Sequence, residues 1–253
     1  MPAVMSGHSK WSTIKRKKGA TDAARGKVFT KIAREIMVAA KEGGGDPDGN
    51  PRLRTALNAA RAANMPKDNQ ERAIKKGIGE LEGVNFEELL YEGRGPYGTA
   101  FVLEVLTDNR NRTVPELRHI LGKNGGEMGS DGSATWMFDH KGVIIVAKQA
   151  IGENQLMEKC LEAGADDIQD EDEVWVVSCE FTGFAALEAA LAELEPESAE
   201  IQWVTKPENA LPLEGEAADA VAKLWAKLDD HDDIQKVYCN ADLPDEVMEA
   251  NGL

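Results

Sequence analysis

Hydrophobic periodicity changes once along this 253-residue chain, near residue 80, and the balance of charge changes at the same place. Before it, apolar residues recur at three- and four-residue spacing, the signature of amphipathic helices. Beyond it, short β-type runs alternate with helical ones, the pattern of an α+β chain. Residues 1–80 hold 17 Lys and Arg against 8 Asp and Glu, a balance of +9. The rest hold 12 against 37, or −25, so the overall net charge of −16 hides a basic module joined to an acidic body. Such asymmetry points to a polyanionic partner for the first part and a surface that repels it on the second.

The basic module reads as three helices. Val28, Phe29, Ile32, Ala33, Ile36, Met37 and Ala40 form one face of a first helix, and Lys27, Lys31, Arg34 and Lys41 fall opposite. The run Gly43-Gly44-Gly45-Asp46-Pro47-Asp48-Gly49 ends it. Asn50 followed by Pro51 then reads as an N-cap with proline at the first helical position. A second helix uses Leu53, Ala56, Leu57 and Ala60, and a third runs through Ala73 and Ile74 to Gly77. Downstream, Thr99–Leu106 is a strand, Thr113-Val114-Pro115-Glu116 a capping box opening a helix, and Ala134–Phe138 the next strand. From Gly142 to Thr205 the order is β-α-β-β-α-β, and a helix through Val221 and Leu228 with a last strand, Ile234–Cys239, follows. The expected fold is α+β and multidomain: an N-terminal three-helix domain (1–79), a ferredoxin-like α+β domain (80–139 plus 207–245), and a second ferredoxin-like domain inserted in it (140–206).

Catalytic motifs are absent. Gly93-Arg94-Gly95-Pro96-Tyr97-Gly98 fits G-x-G-x-x-G but precedes a strand instead of opening a helix, so it reads as a tight turn. The glycine-rich stretch from Gly122 to Ser133 does not match G-x-x-x-x-G-K-[ST] and reads as a mobile surface loop or a contact with a large partner. Asp229-Asp230-His231-Asp232-Asp233 and Asp170-Glu171-Asp172-Glu173 lack calcium-loop spacing and read as solvated acidic turns. There is no H-E-x-x-H or G-x-S-x-G, and no nucleophile, base and oxyanion set. The expectation is a non-enzyme with no cofactor, no metal and no small-molecule substrate. Cys160, Cys179 and Cys239 stand apart, as reduced thiols in the cytoplasm do. No apolar run approaches the roughly 20 residues of a membrane span, and the N-terminus has no secretory h-region, so a soluble cytoplasmic protein with no membrane partner is expected.

The cations are the informative residues. Lys10, Lys15, Arg16, Lys17 and Lys18 precede the first helix, which adds Arg25, Lys27, Lys31 and Arg34, a ladder suited to phosphates. Trp11 within it either stacks on a base or packs on that helix. The short link Asn64–Lys67 suits either a helix-turn-helix, with Lys67, Asn69, Gln70, Arg72, Lys75 and Lys76 facing a groove, or a plain hairpin. Arg110 and Arg112, in Asp108-Asn109-Arg110-Asn111-Arg112, form either a loop paired with the acidic body or a second polyanion contact.

Several stretches together resemble the YebC family of bacterial proteins: Gly7-His8-Ser9-Lys10-Trp11 with Ile14-Lys15, Arg25-Gly26-Lys27-Val28-Phe29, Gly43-Gly44-Gly45-Asp46-Pro47 with Asn50-Pro51-Arg52-Leu53, Tyr91-Glu92-Gly93 with Gly95-Pro96, Asp108–Thr113, and Gly129 with Asp131-Gly132-Ser133. The resemblance spans nearly the whole chain. It implies three domains, one helical and two α+β, and a regulator of gene expression. Members carry the label of probable transcriptional regulator, with DNA binding described for some; mitochondrial relatives are translational activators, and some bacterial relatives are linked to ribosomes. The implied partner is double-stranded DNA, or alternatively ribosomal RNA and the ribosome, with the oligomeric state left open. The usual family start resembles Met5-Ser6-Gly7-His8, which makes Met1–Val4 an extension or a misassigned start. The family has no established catalytic residues to carry over.

Overall fold

The computed structural model describes residues 22–171 and 173–253, the side chains of residues 22–25 excepted. The chain divides into two compact units, one running to Phe138 and resuming over Thr205–Leu253, the other Asp139–Val204. The order begins with helices α1 (Asp22–Gly43), α2 (Pro51–Ala62) and α3 (Lys67–Gly77). Strands β1 (Glu87–Arg94) and β2 (Ala100–Thr107), helix α4 (Arg110–Lys123) and strand β3 (Glu127–Met128) follow. The second unit holds most of β4 (Phe138–Ala147), then α5 (Glu153–Ala163), β5 (Asp167–Asp170), β6 (Val174–Glu180), α6 (Phe184–Leu191) and β7 (Ser198–Thr205). The first unit resumes with β8 (Leu211–Pro212), α7 (Gly215–Asp229), β9 (Ile234–Cys239), β10 (Ala241–Asp242) and α8 (Asp245–Ala250).

α1 is the hub of the helical part, and α2 and α3 both pack chiefly on it. Ile36, Ala39, Ala40, Leu53, Ala56, Ala60, Met65 and Ala73 make the core, as the apolar stripes predict. The glycine run breaks α1 because Gly44 takes a left-handed φ of 87°, and a Cβ on Gly43 would lie 2.6 Å from the Asn50 amide. Asn50 then caps α2: its Oδ1 accepts from the Leu53 N–H, while its amide donates to the Ala39 and Gly44 carbonyls at 2.7 and 2.8 Å. α3 lies so close to α1 that a Cβ on Gly77 would stand 2.5 Å from the Met37 carbonyl oxygen.

The first unit's sheet has the order β3-β1-β2-β9, with α4 and α7 on one face. Taken from β2, the path β2-α4-β3, β1, α7-β9 gives the 2-3-1-4 strand order of a ferredoxin-like plait whose third strand, β1, comes first in the chain. Phe101, Leu103 and Val105 of β2 meet Leu117, Leu121, Val221, Leu224 and Leu228 across this core. The second unit has the same order without rearrangement, β5-β6-β4-β7. Ile144, Val146, Leu156, Cys160, Val177, Leu187 and Leu191 fill its core. The fold is thus α+β, with a helical N-terminal part and two plaits, one within the other.

Local expectations change in four places. The segment Ala134–Phe138 is mostly a 3-10 turn (Thr135–Met137), and the missing plait strand is the two-residue β3. β1 is a further strand, one that the sequence pattern does not mark. α4 opens at Arg110 with Asn109 as N-cap, whose side chain accepts from the Arg112 N–H at 3.1 Å; Thr113 instead lies buried inside the helix. The stretch after Gly122 is held, with β3 paired to β1 and the next loop tied to Glu92. Gly93–Gly98 is the turn joining β1 to β2.

Candidate nucleic-acid interface

α1 turns its cations toward the end of α7 and the link into β9. Lys27 Nζ pairs with Asp230 Oδ1 and also reaches its carbonyl at 3.4 Å. One turn on, Lys31 Nζ donates to the Asp229 carbonyl at 2.7 Å and lies 3.3 Å from its carboxylate. Arg34 Nη1 donates to the Asp232 carbonyl and meets Asp233 Oδ1 at 3.0 Å, its guanidinium lying 5.4 Å from the Phe86 ring centroid. The physical cause is plain. Asp229 and Asp230 sit at the negative end of the α7 dipole, where carboxylates are disfavoured and terminal carbonyls lack helical donors. The two lysines neutralise the first and satisfy the second.

Asp233 anchors this contact. Its side chain is 2% exposed, yet Arg34 meets one oxygen and Arg112 Nη2 the other, the latter at 2.7 Å. The Thr113 hydroxyl donates to Oδ2 at 2.7 Å, and Thr107 Oγ1 lies 3.2 Å from the same atom. Burial alone would raise the Asp233 carboxyl's pKa; the hydrogen bonds from Arg112 and Thr113 and the charges of Arg112 and Arg34 outweigh it and hold it below its ordinary value. The backbone N–H of Asp233 donates to His231 Nδ1 at 3.1 Å, so Nε2 carries the ring proton facing Glu116 Oε2 at 3.0 Å. The turn expected to be a solvated acidic stretch is therefore a paired one, because three cations of α1 and one of α4 converge on it.

Of the residues singled out from sequence, Lys10, Trp11, Lys15, Arg16, Lys17 and Lys18, and the side chain of Arg25, lie outside the described residues. Lys27, Lys31 and Arg34 are brought together with Arg112 around the acidic turn. Arg112 also pairs with Asp108 at 3.0 Å, and Arg110 is exposed in the first turn of α4. On α3, Lys67, Arg72 and Lys75 are exposed, with no carboxylate partner among the described residues. The loop reading that pairs Arg112 with the acidic body is thus realised in the structure, while Arg110 remains open to solvent.

Two organising residues escaped the sequence reading. Glu92 on β1 is buried, and its carboxylate accepts the N–H of Gly132 at 2.7 Å and that of Thr135 at 2.8 Å, with the Ala134 N–H and the Thr135 hydroxyl also bound. Burial would raise its pKa, but the donated backbone hydrogen bonds bring it below the ordinary value. Arg52 joins Glu35 and Glu42 of α1 to Glu88 of β1 at 2.6–2.8 Å; burial lowers its pKa, but Glu35 and Glu88 outweigh that and raise it. Both fall within stretches that carry the family resemblance, Tyr91-Glu92-Gly93 and Asn50-Pro51-Arg52-Leu53, but nothing in those stretches marks what either side chain holds. Among the described residues no group of three His, Cys, Asp or Glu is placed to hold a metal ion, no helix is long and apolar enough to cross a membrane, and all three cysteines are buried and free.

A basic helical part joined to an α+β plait by a graded set of ion pairs, with a second plait inserted in the chain of the first, defines the class. Residues 9–80 match the model for the TACO1/YebC protein N-terminal domain, and 86–241 the model for the TACO1/YebC second and third domain. The chain belongs to the TACO1/YebC family. It is 54% identical over 248 residues to a protein of Desulforapulum autotrophicum named a probable transcriptional regulatory protein, covering 97% of this chain and all of that one. A Geobacter sulfurreducens protein of the same description is 55% identical over 247 residues, 97% of this chain and 99% of its own. The crystal structure of the conserved hypothetical protein Aq1575 from Aquifex aeolicus superposes with a TM-score of 0.78 at 43% identity, covering 89% of this chain and 93% of that one.

Proposed function

We propose that this protein is a non-enzymatic, cytoplasmic regulator of gene expression that binds nucleic acid through its basic N-terminal module, acting on double-stranded DNA to control transcription. The observation that carries the reading is the charge split: +9 on residues 1–80 against −25 on the rest, within one chain. The names of the relatives support it. The proposed binding set is Lys10, Lys15, Arg16, Lys17, Lys18, Arg25, Lys27, Lys31 and Arg34, with Trp11 beside them and Arg110 and Arg112 extending it onto the plait; Arg34, paired with Asp233, anchors the ladder while its lysines meet phosphate. Within that set, Arg112 positions the acidic turn and Arg110 reaches outward. The helical module, 1–79, acts as the grip, and the domains 80–139 with 207–245 and 140–206 as the body.

The second reading, a translation factor on ribosomal RNA, has a specific basis: a phosphate ladder grips either backbone, and the sequence carries no base-reading constellation strong enough to choose the duplex. Binding to a mixed-sequence 30-base-pair DNA and to a ribosomal RNA hairpin, measured against salt, tests both. Engagement of about four to seven phosphates gives a slope of log affinity against log salt near −4 to −6 on the duplex. Replacing Lys15, Arg16, Lys17 and Lys18 together by alanine should flatten the slope and weaken binding. A slope near zero that the fourfold substitution leaves unchanged would contradict the reading.

A further inference from the structure

The cations assigned to phosphate on α1 already hold an anionic ribbon. Over five residues, Asp229–Asp233 offers Lys27, Lys31 and Arg34 three carboxylates and three backbone carbonyls, spaced so that each turn of α1 meets a new anionic group. A nucleic-acid backbone presents the same thing, a run of oxygens bearing negative charge, so the turn occupies α1 as a phosphodiester chain would. The contact is graded. Lys27 and Asp230 are 46% and 69% exposed at their side chains, Lys31 and Asp229 18% and 37%, and Asp233 2%. The outer pairs are screened by water and salt and open readily, whereas the inner one is locked by Arg112 and Thr113.

We propose that the acidic turn is a built-in competitor for the nucleic-acid backbone: Asp229 and Asp230 occupy Lys27 and Lys31 in the free protein, and a phosphodiester backbone displaces them while Arg34–Asp233–Arg112 stays closed as the pivot. This rests on the nucleic-acid reading above and adds its regulation. Only a partner with several closely spaced phosphates supplies enough charge to displace two carboxylates held by their own helix end. Single anions and sparse acidic surfaces are excluded by the same competition. Affinity for the backbone is thereby set lower than the cations alone would give, and selectivity for a polyanion higher.

The test is the full chain carrying Asp229→Asn and Asp230→Asn, with Glu153→Gln and Glu158→Gln as a control that removes the same charge from exposed sites on α5. Binding to the mixed-sequence 30-base-pair DNA and to a ribosomal RNA hairpin is followed by anisotropy from low to high salt, beside a melting curve for each variant. The expected result is binding at least fivefold tighter than the parent's and a salt slope steeper by about one to two, as two more cations engage phosphate. The control should change affinity less than twofold, and Tm should shift little. Affinity equal to the parent's, or a gain no larger than the control's, overturns the competitor while leaving the nucleic-acid reading intact. If neither parent nor variant binds either probe at low salt, both fall together. A loss of Tm with weaker binding would make the turn a structural brace and would also overturn the proposal.

Discussion

A carboxylate buried as deeply as that of Asp233 stays ionised only where partners replace its lost hydration, and two guanidinium groups with two hydroxyls do so here. Removing it strands Arg34 and Arg112 at once. Asp233→Ala should therefore cost about 3 kcal/mol of stability, the scale for breaking a buried pair, read as a lowered urea midpoint; a change under about 0.5 kcal/mol would contradict the hub. Glu92 makes a pH prediction. Its folded pKa lies below its ordinary value, so its contribution to stability is present above the unfolded pKa, near 4, and is lost as pH falls through the folded value. Glu92→Gln should lower Tm at pH 7, and the gap from the parent should close as pH falls below the unfolded carboxylate value, near 4; a gap constant with pH would remove the charge from the explanation. The sequence marks both positions, one in a resemblance stretch and one in an acidic run, but not their burial and pairing. An acidic residue in a strand or an acidic run reads as surface by composition, and only the partner brought from α1, α4 or the 129–135 loop makes it a core anion.

At the scale of elements, legibility followed the length of the periodic signal. α1, α2 and α3, the Asn50-Pro51 start and the βαββαβ order of the second unit were all readable, because several turns of apolar spacing or a cap with a mechanism marked each. β3 was not, since two residues carry no period, and its pairing to β1 depends on Gly93 letting the chain pass close. The expected start of α4 lies four residues late because Thr113-x-x-Glu116 fits a capping box as well as Asn109 fits an N-cap; burial of Thr113 against Asp233 decides for Asn109. Gly77 was read as a helix stop, and it also sets how near α3 comes to α1. Gly77→Ala should drive a methyl into the Met37 carbonyl and cost about 1–3 kcal/mol, as overpacking does. A Tm equal to the parent's would show that α3 shifts freely.

For the whole molecule, the charge step and the period change at residue 80 were the features the sequence carried most openly. What it left open was where the cations of α1 point, because an exposed-face argument treats a helix alone. In the folded chain that face meets an acidic turn placed to receive it, and the expected ladder becomes a ladder with its lower rungs occupied. Arg34 and Arg112, read as two separate contacts, share the two oxygens of one carboxylate. Regulation of gene expression through a nucleic acid is the central claim, and the identity of that nucleic acid decides between transcription and translation. Crosslinking the protein to genomic DNA, beside its co-sedimentation with ribosomes in the same cells, tests the claim most directly. Recovery of genomic DNA with the protein, lost when Lys15, Arg16, Lys17 and Lys18 are alanine, is the expected result; recovery with ribosomes alone would transfer the same cations to ribosomal RNA, and recovery with neither would contradict the claim.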